Sequence, residues 1–434
     1  MRYLALACDY DGTLAVHNHV ADGTVAALER LRASGRKLIL VTGRRLDELL
    51  NVFPQVHLFD RVVAENGALL YRPATREEKP LGCPPPEKLV RALRDHGVEP
   101  LAVGRVMIAT WQPHETTALG AIRDLGLDLR VAFNKGAVMV MPSGVNKATG
   151  LAAALKELEL SPHNVARIGD AENDHSFLKQ CEYSAAVANA LPAVKESVDS
   201  CTAGAHGDGV VELIDEMVAT DLGGREQLLE RHHLLFGTRD NGAEVRVRPY
   251  GANLLIAGPS GSGKSSAATA FLERLIEHEY QFCVIDPEGD YATFEGAVVL
   301  GNSLAAPEVD EVIRLLKDPD RNVIVNLLGL PLADRPSFFL TLLPRLQEMR
   351  ATTGRPHWVV IDEAHHLLPT PWHPGDLVMS QELEGLVLIT VHPEHVAPAF
   401  LGLVDVVVAV GHSPETTLRQ FCLALGETPP ALTP

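Results

Sequence analysis

Two glycine-containing motifs, each directly after a short apolar run, constrain the fold of this chain more than any other feature. Residues 9–14 read DYDGTL, and residues 258–265 read GPSGSGKS. A strand that ends in a tight polar turn and leads into a helix is the unit from which parallel sheets are built. Since the two motifs lie in different halves of the chain, the sequence predicts two separate α/β units.

Strand-length apolar runs and helix-length segments alternate through both halves. The expected fold class is α/β, with two Rossmann-like domains that each contain a parallel sheet covered by helices on both faces. A proline-rich segment near Cys83 interrupts the first pattern, which resumes at Asn146, so the residues between them are predicted to form an inserted α/β cap. The predicted bounds are 1–81 and 142–222 for the first core, 82–141 for the cap, 223–236 for a linker and 237–434 for the second domain.

Composition and charge narrow the classes of function. The net charge of −18 disfavours broad, non-specific binding to nucleic acid. The six cysteines contain no C-x-x-C pair, which favours a reduced, intracellular chain over a disulfide framework. The first motif follows the N-terminus too closely for a signal peptide, and no apolar run approaches the roughly 20 residues of a membrane span. The expected location is therefore cytoplasmic, without a membrane partner.

The first motif carries two carboxylates. Asp9 and Asp11 are two positions apart after a strand, so in an extended segment their side chains point to the same side. One could attack a phosphorus atom while the other handles protons. Their combined charge would repel a phosphate, so the pair requires a divalent cation and cationic partners. Thr42, which follows the next strand, and Lys147, which opens a helix, are candidates for holding the phosphoryl group.

A second acidic group follows the apolar run 165–168. Residues 169–174 read GDAEND, and they would place Asp170, Asn173 and Asp174 beside the first pair. Hard oxygen ligands of this kind suit Mg²⁺. The alternative is that these are ordinary turn and helix-cap residues, since Asp and Asn favour both positions. The occurrence of all four elements in order favours a metal-dependent phosphoryl site.

The ordered set resembles the haloacid-dehalogenase-type phosphatases and, within them, the Cof-type branch, whose C2 cap is inserted between the second and third motifs. The resemblance covers about the first half of the chain. It implies that Asp9 becomes an aspartyl phosphate and that Asp11 is the general acid and base. The implied Mg²⁺ ligands are Asp9, the backbone carbonyl of Asp11, Asp170, Asn173 and Asp174, and the implied phosphate contacts are Thr42 and Lys147.

Substrate choice would fall to the cap in this class of enzyme. The implied substrate is a phosphorylated small molecule or a nucleic-acid end. Arg105, Trp111, His114 and Asn134 are candidate contacts within the cap, although a structural role or simple exposure explains each of them better.

The second motif fits the pattern G-x-x-x-x-G-K-[ST] between a strand and a helix. Glycines let backbone N–H groups turn inward around phosphates, Lys264 can reach the terminal phosphates and Ser265 can bind Mg²⁺. Further along, a strand ends in Asp362, which suits Mg²⁺, and Glu363, which suits polarisation of the attacking water. The residues predicted to bind a nucleoside triphosphate such as ATP are Gly258, Ser260, Gly261, Ser262, Gly263, Lys264, Ser265 and Ser266.

These elements resemble the HerA/FtsK class of P-loop ATPases. Residues 285–291, which read IDPEGDY, and the strands before the P-loop extend the likeness beyond the nucleotide motifs. The class implies ATP hydrolysis, DNA as a partner and a homo-oligomer such as a hexamer. Arg335 and Arg419 are candidate arginine fingers, although an ordinary surface position explains either one. The stretch between Tyr291 and Asn322 is short, which argues against the helical insertion of DNA-translocating members.

Several histidines lie near the second acidic pair in the sequence. Their spacing matches no compact zinc pattern, so they are interpreted as neighbours of the nucleotide site or as surface residues. The members of this group are His365, His366, His373, His392 and His395.

Three hypotheses of function follow from these motifs. The first is a bifunctional enzyme, in which a Mg²⁺-dependent phosphomonoester phosphatase is fused to an ATP hydrolase. The second is a polynucleotide end-processing kinase and phosphatase, with Asp286 as the kinase base; Glu363 argues against it because that residue suits activation of water. The third is a scaffold whose nucleotide state switches its assembly with little turnover.

Overall fold

The computed structural model describes residues 1–225, 228–370 and 383–429. The chain divides into two compact units, Met1–Leu229 and Glu230–Pro434. Within the described residues the strands form four sheets, two of which are large and mainly parallel. The predicted fold class, two α/β domains, is confirmed. Among the described helices, none combines the length and apolar character that a membrane crossing requires.

The first unit contains a core and an inserted cap. Its strands are β1 (Ala5–Asp9), β2 (Lys37–Val41), β3 (Arg61–Ala64), β4 (Leu69–Arg72), β5 (Glu77–Pro80), β6 (Ala102–Val103), β7 (Ile108–Trp111), β8 (Leu129–Asn134), β9 (Ala137–Pro142), β10 (Val165–Gly169), β11 (Tyr183–Ala186) and β12 (Ser200–Cys201). Its α-helices are α1 (Asp22–Ala33), α2 (Leu46–Val52), α3 (Glu87–Asp95), α4 (Glu115–Asp124), α5 (Lys147–Glu157), α6 (His175–Leu178), α7 (Pro192–Lys195) and α8 (His206–Thr220).

The core sheet determines where the first motif lies. Its strand order is β12-β11-β10-β1-β2-β3-β4-β5. The middle strand β1 pairs in parallel with β10 and β2, whereas β4 and β5 extend the edge in antiparallel fashion. Every residue of β1 is buried, as expected for a parallel strand whose two faces are covered. Because parallel strands end at the same edge, the residues that follow β1, β2 and β10 meet there.

The cap consists of a small antiparallel sheet and two helices. Its strand order is β6-β7-β9-β8, and α3 and α4 pack on it. Leu89 and Leu93 lie four positions apart on α3 and are both buried, which is the spacing of one helix face. They share a separate small core with Ile108, Ile122 and Val140. The cap is therefore an independent layer inserted between β5 and α5.

The second unit has its own parallel sheet. Its strands are β13 (Leu234–Thr238), β14 (Glu244–Val247), β15 (Leu254–Ala257), β16 (Phe282–Asp286), β17 (Val298–Leu300), β18 (Val323–Asn326), β19 (Trp358–Ile361), β20 (Leu386–Thr390) and β21 (Val406–Ala409). Its α-helices are α9 (Lys264–Glu277), α10 (Val309–Leu316), α11 (Arg335–Thr353), α12 (Ala364–Leu367), α13 (Pro398–Leu401) and α14 (Pro414–Ala424).

The order of the second sheet places the P-loop beside the acidic pair. The order is β17-β18-β16-β19-β20-β15-β21, with all neighbours parallel. The P-loop follows β15, the acidic pair follows β19, and β20 separates these two strands. The hairpin of β13 and β14 begins at Leu234, inside the segment 223–236 that the sequence predicts as linker. Leu234 is buried in the core of this unit. Because polar residues precede it, the sequence pattern does not predict a strand at this position.

Candidate phosphate-handling sites

The centre of the first site is a buried lysine between two aspartates. Lys147 Nζ lies 2.5 Å from Asp9 Oδ1 and 2.5 Å from Asp174 Oδ1. The other oxygen of Asp174 accepts the backbone N–H groups of Asp170 and Ala171 at 3.0 and 2.9 Å. The structure thus brings together the last residue of β1, a residue that follows β10 and the first residue of α5.

The start of α5 fixes the position of that lysine. The side chain of Asn146 accepts a hydrogen bond from the backbone N–H of Thr149 at 3.0 Å, and the Thr149 hydroxyl accepts one from the backbone N–H of Asn146 at 2.9 Å. This reciprocal capping holds the first helical turn in place. Lys147 is only 1% exposed, so its ammonium group has little freedom to leave the carboxylates.

The electrostatics of the site call for a cation. Single oxygens of Asp9, Asp170 and Asp174 lie within 4.8 Å of one another, and all three residues are buried. Burial, together with the charge of Asp174, raises the pKa of Asp9 well above its ordinary value, against the opposing effect of Lys147. Burial also raises the pKa of Asp170. An all-oxygen set with this excess of negative charge fits Mg²⁺.

Gly12 makes this arrangement sterically possible. It has a φ of +89°, which favours glycine, and a Cβ at this position would lie 2.3 Å from Asp170 Oδ2. The backbone of the first motif therefore turns directly against the carboxylate that follows β10.

Asp11 has a different partner from Asp9. Arg44 donates from Nε to one Asp11 oxygen at 2.7 Å and from Nη2 to the other at 2.5 Å. This two-pronged contact fixes the carboxylate plane of Asp11, which is partly exposed. Sequence reasoning missed Arg44. Because Arg44 lies two residues after Thr42, just beyond the end of β2, its position could have predicted a cation at this site.

The remaining predicted residues of the first motif set lie at the same edge. Thr42 is fully buried, and its hydroxyl accepts the backbone N–H of Arg44 at 3.1 Å. The Asn173 amide donates to Asn66 Oδ1 at 3.2 Å. Asn173 Oδ1 is buried and accepts no hydrogen bond from the part of the chain that the structure describes. That buried acceptor needs a donor or a cation, which agrees with a place beside a metal or its water.

The cap contributes a lysine that the sequence did not single out. Lys135 lies in the turn between β8 and β9, and its Nζ is 2.7 Å from Asp170 Oδ2 and 3.3 Å from the backbone oxygen of Asp11. These two oxygens belong to the implied Mg²⁺ ligands. The signal in the sequence was the Asn134-Lys135-Gly136 turn between two strands, whose tip extends from the cap.

Of the four cap residues named from the sequence, three make other contacts or are exposed, and one lies near the end of β2. Arg105 is engaged with Asp47 at 3.0 Å and Glu78 at 2.9 Å. Trp111 is 53% exposed, and a ring nitrogen of His114 lies 3.1 Å from a backbone carbonyl oxygen. A Cβ added at Gly43 would lie 4.0 Å from the amide nitrogen of Asn134, so Asn134 is the one of the four that lies beside the end of β2.

A buried glutamate joins the core to the cap. Glu65 is 1% exposed, and its carboxylate accepts the backbone N–H groups of Arg105, Val106 and Met107 at 2.8 to 3.0 Å. Because three donors converge on one carboxylate, the cap segment before β7 is tied to the core. No periodic pattern in the sequence predicts this contact.

In the second unit the P-loop has the backbone that its glycines permit. Gly261 and Gly263 have φ values of +73° and +103°. Lys264 is buried, and its Nζ donates to the carbonyl oxygen of Pro259 at 3.1 Å. A Cβ at Gly258 would lie 2.1 Å from the carbonyl oxygen of Val410, so this residue has to be glycine.

The predicted hydroxyl groups lie around the same turn. Ser260, Ser265 and Ser266 are exposed at or after the loop. Ser262 Oγ is buried and has no hydrogen-bond partner among the described residues. The loop therefore leaves its polar side chains accessible or unsatisfied at the start of α9, where an anion would be held.

The acidic pair follows β19 as predicted. Asp362 is 2% exposed and accepts the backbone N–H of Glu363 at 2.9 Å. Burial, with Glu363 and Asp286 adding to it, raises the pKa of Asp362 to about 7. Burial likewise raises the pKa of Glu363, as does Glu288, whereas Lys264 lowers it. The opposing effect of Lys264 indicates that the P-loop and the acidic pair share one electrostatic environment.

Two other residues named from the sequence in this unit, Asp286 and Arg335, are buried and hydrogen-bonded to the backbone. Asp286 is fully buried, and its carboxylate accepts the backbone N–H groups of Gly289, Asp290 and Tyr291. Arg335 is 8% exposed, and its Nε donates to the carbonyl oxygen of Leu330.

The interpretation of Arg335 as an ordinary surface residue is therefore wrong, because this first residue of α11 is buried. Arg419 is exposed on α14. His373 lies outside the described residues.

The remaining four histidines meet at the end of β20. The ring centroids of His365 and His366 are 4.1 Å apart, those of His365 and His392 are 5.6 Å apart, and those of His392 and His395 are 4.9 Å apart. His365 Nδ1 lies 3.0 Å from Thr390 Oγ1 and 3.3 Å from Glu363 Oε2. Burial and the neighbouring imidazoles lower the pKa of His365 to about 4.

Comparison with known proteins finds a family match in each half of the chain. Residues 6–103 and 121–214 match the family model of haloacid dehalogenase-like hydrolases, and residues 245–345 match that of the central domain of the helicase HerA. A phosphoglycolate phosphatase of Methanothermobacter thermautotrophicus is 29% identical over 218 residues, which are 48% of this chain and 96% of that protein. A phosphoglycolate phosphatase of Haloarcula marismortui is 30% identical over 223 residues, which are 48% of this chain and 95% of that protein.

Among solved structures, a haloacid dehalogenase-like hydrolase from Bacteroides thetaiotaomicron is 19% identical, with a TM-score of 0.43, and the match covers 50% of this chain and 99% of that one. The family matches agree with the motifs at residues 9–14 and 258–265. The chain is therefore an enzyme that belongs, through its first half, to the haloacid dehalogenase-like hydrolases and carries a HerA-type P-loop ATPase domain in its second half.

Proposed function

We propose that the first half is a Mg²⁺-dependent phosphomonoester phosphatase that works through an aspartyl phosphate on Asp9. The observation that carries this proposal is the ammonium group of Lys147 between Asp9 and Asp174. Asp174 and Asp9 raise the pKa of Lys147 although burial alone would lower it, so this lysine stays charged and favours the ionised form of Asp9. Mg²⁺ held by Asp9, the Asp11 carbonyl and Asp170 would neutralise charge on the phosphoryl oxygens.

The reaction then divides between the two carboxylates. An oxygen of Asp9 attacks phosphorus, and the bond between phosphorus and the leaving-group oxygen breaks. Asp11 donates a proton to the leaving-group oxygen as this bond breaks. Asp11 next takes a proton from water, whose oxygen attacks the phosphorus of the aspartyl phosphate. Inorganic phosphate leaves, and Asp9 is regenerated. Arg44 would hold Asp11 in orientation for both proton transfers.

The substrate we propose is a small phosphomonoester that carries a second acidic group, such as 2-phosphoglycolate. Two observations support it: several relatives bear the name phosphoglycolate phosphatase, and the cap residue Lys135 contacts the carboxylate of Asp170. A lysine attracts a carboxylate as a mobile point charge. Once Mg²⁺ occupies the oxygens that Lys135 now contacts, its ammonium group would be free to bind the acidic group of the substrate.

The test compares two substrates in the Lys135→Met variant. We expect kcat/KM for 2-phosphoglycolate to fall about 10–100-fold, mainly through KM, because a charged contact is lost. For p-nitrophenyl phosphate, which lacks the second acidic group, we expect a change below about threefold. Lys88→Met, an exposed lysine on the cap helix α3, is the control. Equal losses for both substrates would rule out recognition of the second acidic group by Lys135.

For the second half we propose Mg²⁺-dependent hydrolysis of ATP. Lys264 would contact the terminal phosphates, Ser265 and Asp362 would hold Mg²⁺, and Glu363 would orient the attacking water. The kinase alternative is disfavoured because three backbone N–H groups occupy the carboxylate of Asp286, which would have been its base.

Glu363→Gln tests this assignment. We expect kcat for ATP hydrolysis to fall about 10²–10³-fold while ATP still binds, because glutamine cannot act as the base. Glu277→Gln, at the exposed end of α9, should behave as the unaltered enzyme. Full turnover in Glu363→Gln contradicts the assignment. Nucleotide-driven assembly without any hydrolysis by the unaltered enzyme supports the scaffold alternative instead.

A homo-oligomer that acts on DNA is the partner proposal that follows from the HerA-type domain. Of the two candidate arginine fingers, Arg335 is buried within its own subunit and Arg419 is exposed. Arg419 is therefore the one that could reach the nucleotide of a neighbouring subunit. Its replacement by alanine should lower ATPase activity only at concentrations at which the enzyme assembles.

A further inference from the structure

A turn at the end of β20 brings together three side chains that can bind a transition metal. His392, Glu394 and His395 each offer one ligand atom, and these atoms lie within 4.8 Å of one another. The segment Pro393–His395 forms a 3₁₀ turn, in which side chains three positions apart lie on the same face. His392 and His395 are three positions apart, and Pro393 restricts the backbone between them.

The distances in this turn fit a metal ion. His392 Nδ1 and Glu394 Oε1 are 3.2 Å apart. Two ligands at ordinary zinc bond lengths and a tetrahedral angle are about 3.3 Å apart. Little movement of these two atoms would therefore be needed to bind an ion between them.

One carboxylate oxygen in the turn is buried without a hydrogen-bond donor among the described residues. Glu394 Oε2 is buried and has no hydrogen-bond partner in the described ranges of the chain, while its other oxygen lies 3.5 Å from Gln420 Nε2. A buried carboxylate oxygen without a donor is costly unless a cation neutralises it. This observation is independent of the spacing of the histidines and itself points to a cation.

The side chains also determine the class of metal. Two imidazoles and one carboxylate favour Zn²⁺ or a similar late first-row ion over Mg²⁺, which prefers oxygen ligands. Three protein ligands leave one tetrahedral position open. The turn is thus chemically distinct from the oxygen-rich Mg²⁺ sites proposed for both halves.

We propose that His392, Glu394 and His395 form a binding site for Zn²⁺ or a related transition metal, and that its occupancy modulates ATP hydrolysis. The coupling part rests on the proposed ATPase function. His365 provides the connection, because its ring lies 5.6 Å from that of His392 and its Nδ1 lies 3.3 Å from Glu363 Oε2. The backbone N–H of His392 also donates to Thr390 Oγ1, which His365 contacts.

Binding is tested first, with Co²⁺ as a spectroscopic probe and excess Mg²⁺ present to occupy the oxygen-rich sites. The full-length enzyme should bind one Co²⁺ with the visible absorption of a four- or five-coordinate ion that has nitrogen ligands. His395→Ala and Glu394→Gln should each lose this band and one equivalent of Co²⁺, whereas His412→Ala should keep both. Absence of the band in the unaltered enzyme, or its persistence in His395→Ala, overturns the site.

Coupling is tested by titrating the ATPase reaction with Zn²⁺ in excess Mg²⁺. The unaltered enzyme should change its rate at least about threefold as the site fills, since an ion there would reorient His392 beside the Thr390–His365 contact. His395→Ala should keep the basal rate and lose the response to Zn²⁺. If Co²⁺ binds but Zn²⁺ has no effect on the rate of ATP hydrolysis, the proposed coupling is wrong and the proposed metal site still stands. Absence of ATPase activity would instead refute the proposed function, and the Co²⁺ measurement would still decide the site.

Discussion

At the scale of single residues, the first site combines groups that are costly to bury with partners that offset the cost. Asp9 and Asp174 are 3% and 0% exposed, and both contact the ammonium group of Lys147. Removing one member of such a buried set leaves an uncompensated charge, which typically destabilises a protein by about 3–5 kcal/mol. Variants of Lys147 would therefore lose stability as well as activity, so they are poor probes of chemistry.

Arg44 offers a cleaner probe because its partner Asp11 is partly exposed. Replacing Arg44 by methionine removes both hydrogen bonds to the Asp11 carboxylate. We expect kcat to fall about 10–100-fold with little change in KM, because proton transfer depends on the orientation of Asp11. Steady-state kinetics on 2-phosphoglycolate measure this effect. Arg45→Met is the neighbouring control, and equal losses in the two variants would show that Arg44 has no special role.

The sequence predicts the residues of the motifs better than the residues that support them. Asp9, Asp170 and Lys264 are predictable because each belongs to a short pattern at the end of a strand, and the chemistry of that pattern restricts the residue type. Lys135 and Glu65 are not predictable in this way, because their roles depend on how the cap is placed over the core. A turn lysine and a buried glutamate with a φ of +52° have no periodic signature.

At the scale of secondary-structure elements, one glutamate joins a helix to three strands. Glu157 ends α5, and its carboxylate accepts hydrogen bonds from Arg61 of β3, Arg72 of β4 and Lys79 of β5 at 2.9, 3.2 and 3.1 Å. Burial alone would raise the pKa of Glu157, but the three cationic donors lower it below its ordinary value. Because α5 also carries Lys147 at its other end, we expect this contact to hold the helix, and with it Lys147, in position.

This lowered pKa predicts how stability depends on pH. A carboxylate whose pKa is lower in the folded state stabilises the protein above the unfolded pKa of about 4.3, and the contribution is lost as the pH falls towards the folded value. Glu157→Gln should lower the free energy of unfolding at neutral pH by about 1–2 kcal/mol and flatten its decline in acid. Calorimetry between neutral and acidic pH measures both effects. Glu29→Gln on α1 is the control, and an unchanged acid decline in Glu157→Gln would contradict the prediction.

The buried apolar strands follow from the sequence, whereas very short or exposed strands do not. Strands β1, β2, β16 and β19 are predictable because each is a continuous apolar run that is buried on both faces. β12 and β17 have only two and three residues, too few to show a pattern. Likewise β5, Glu77–Pro80, is fully exposed and charged, so only its pairing with β4 makes it a strand.

At the scale of the whole molecule, the two units each have their own sheet and core. The first core contains residues from Tyr3 to Leu229, and the cores of the second unit contain residues from Leu234 onwards. Units with separate cores can in general fold and function independently. The sequence predicts this division from its two motifs, but it does not reveal how the two activities are related.

We predict that the two active sites work independently in their basal reactions. Lys264→Ala should abolish ATP hydrolysis, because the contact with the terminal phosphates is lost, and should leave the phosphatase kcat/KM within about twofold. The reciprocal variant, Asp9→Asn, should leave ATP hydrolysis unchanged. Both rates are measured on the same full-length preparations. A phosphatase activity that rises or falls about tenfold in Lys264→Ala would show instead that nucleotide binding regulates the first half.

Acid-quench labelling measures whether Asp9 carries the phosphoryl group during the proposed reaction. Enzyme mixed briefly with ³²P-labelled substrate and Mg²⁺ should retain label that is stable in acid and released by hydroxylamine, as an acyl phosphate requires. Asp9→Asn should show no label, and Asp11→Asn, once labelled, should lose its label more slowly than the unaltered enzyme, because the base for hydrolysis is missing. Label that persists in Asp9→Asn, or turnover by that variant at the unaltered rate, would contradict the account.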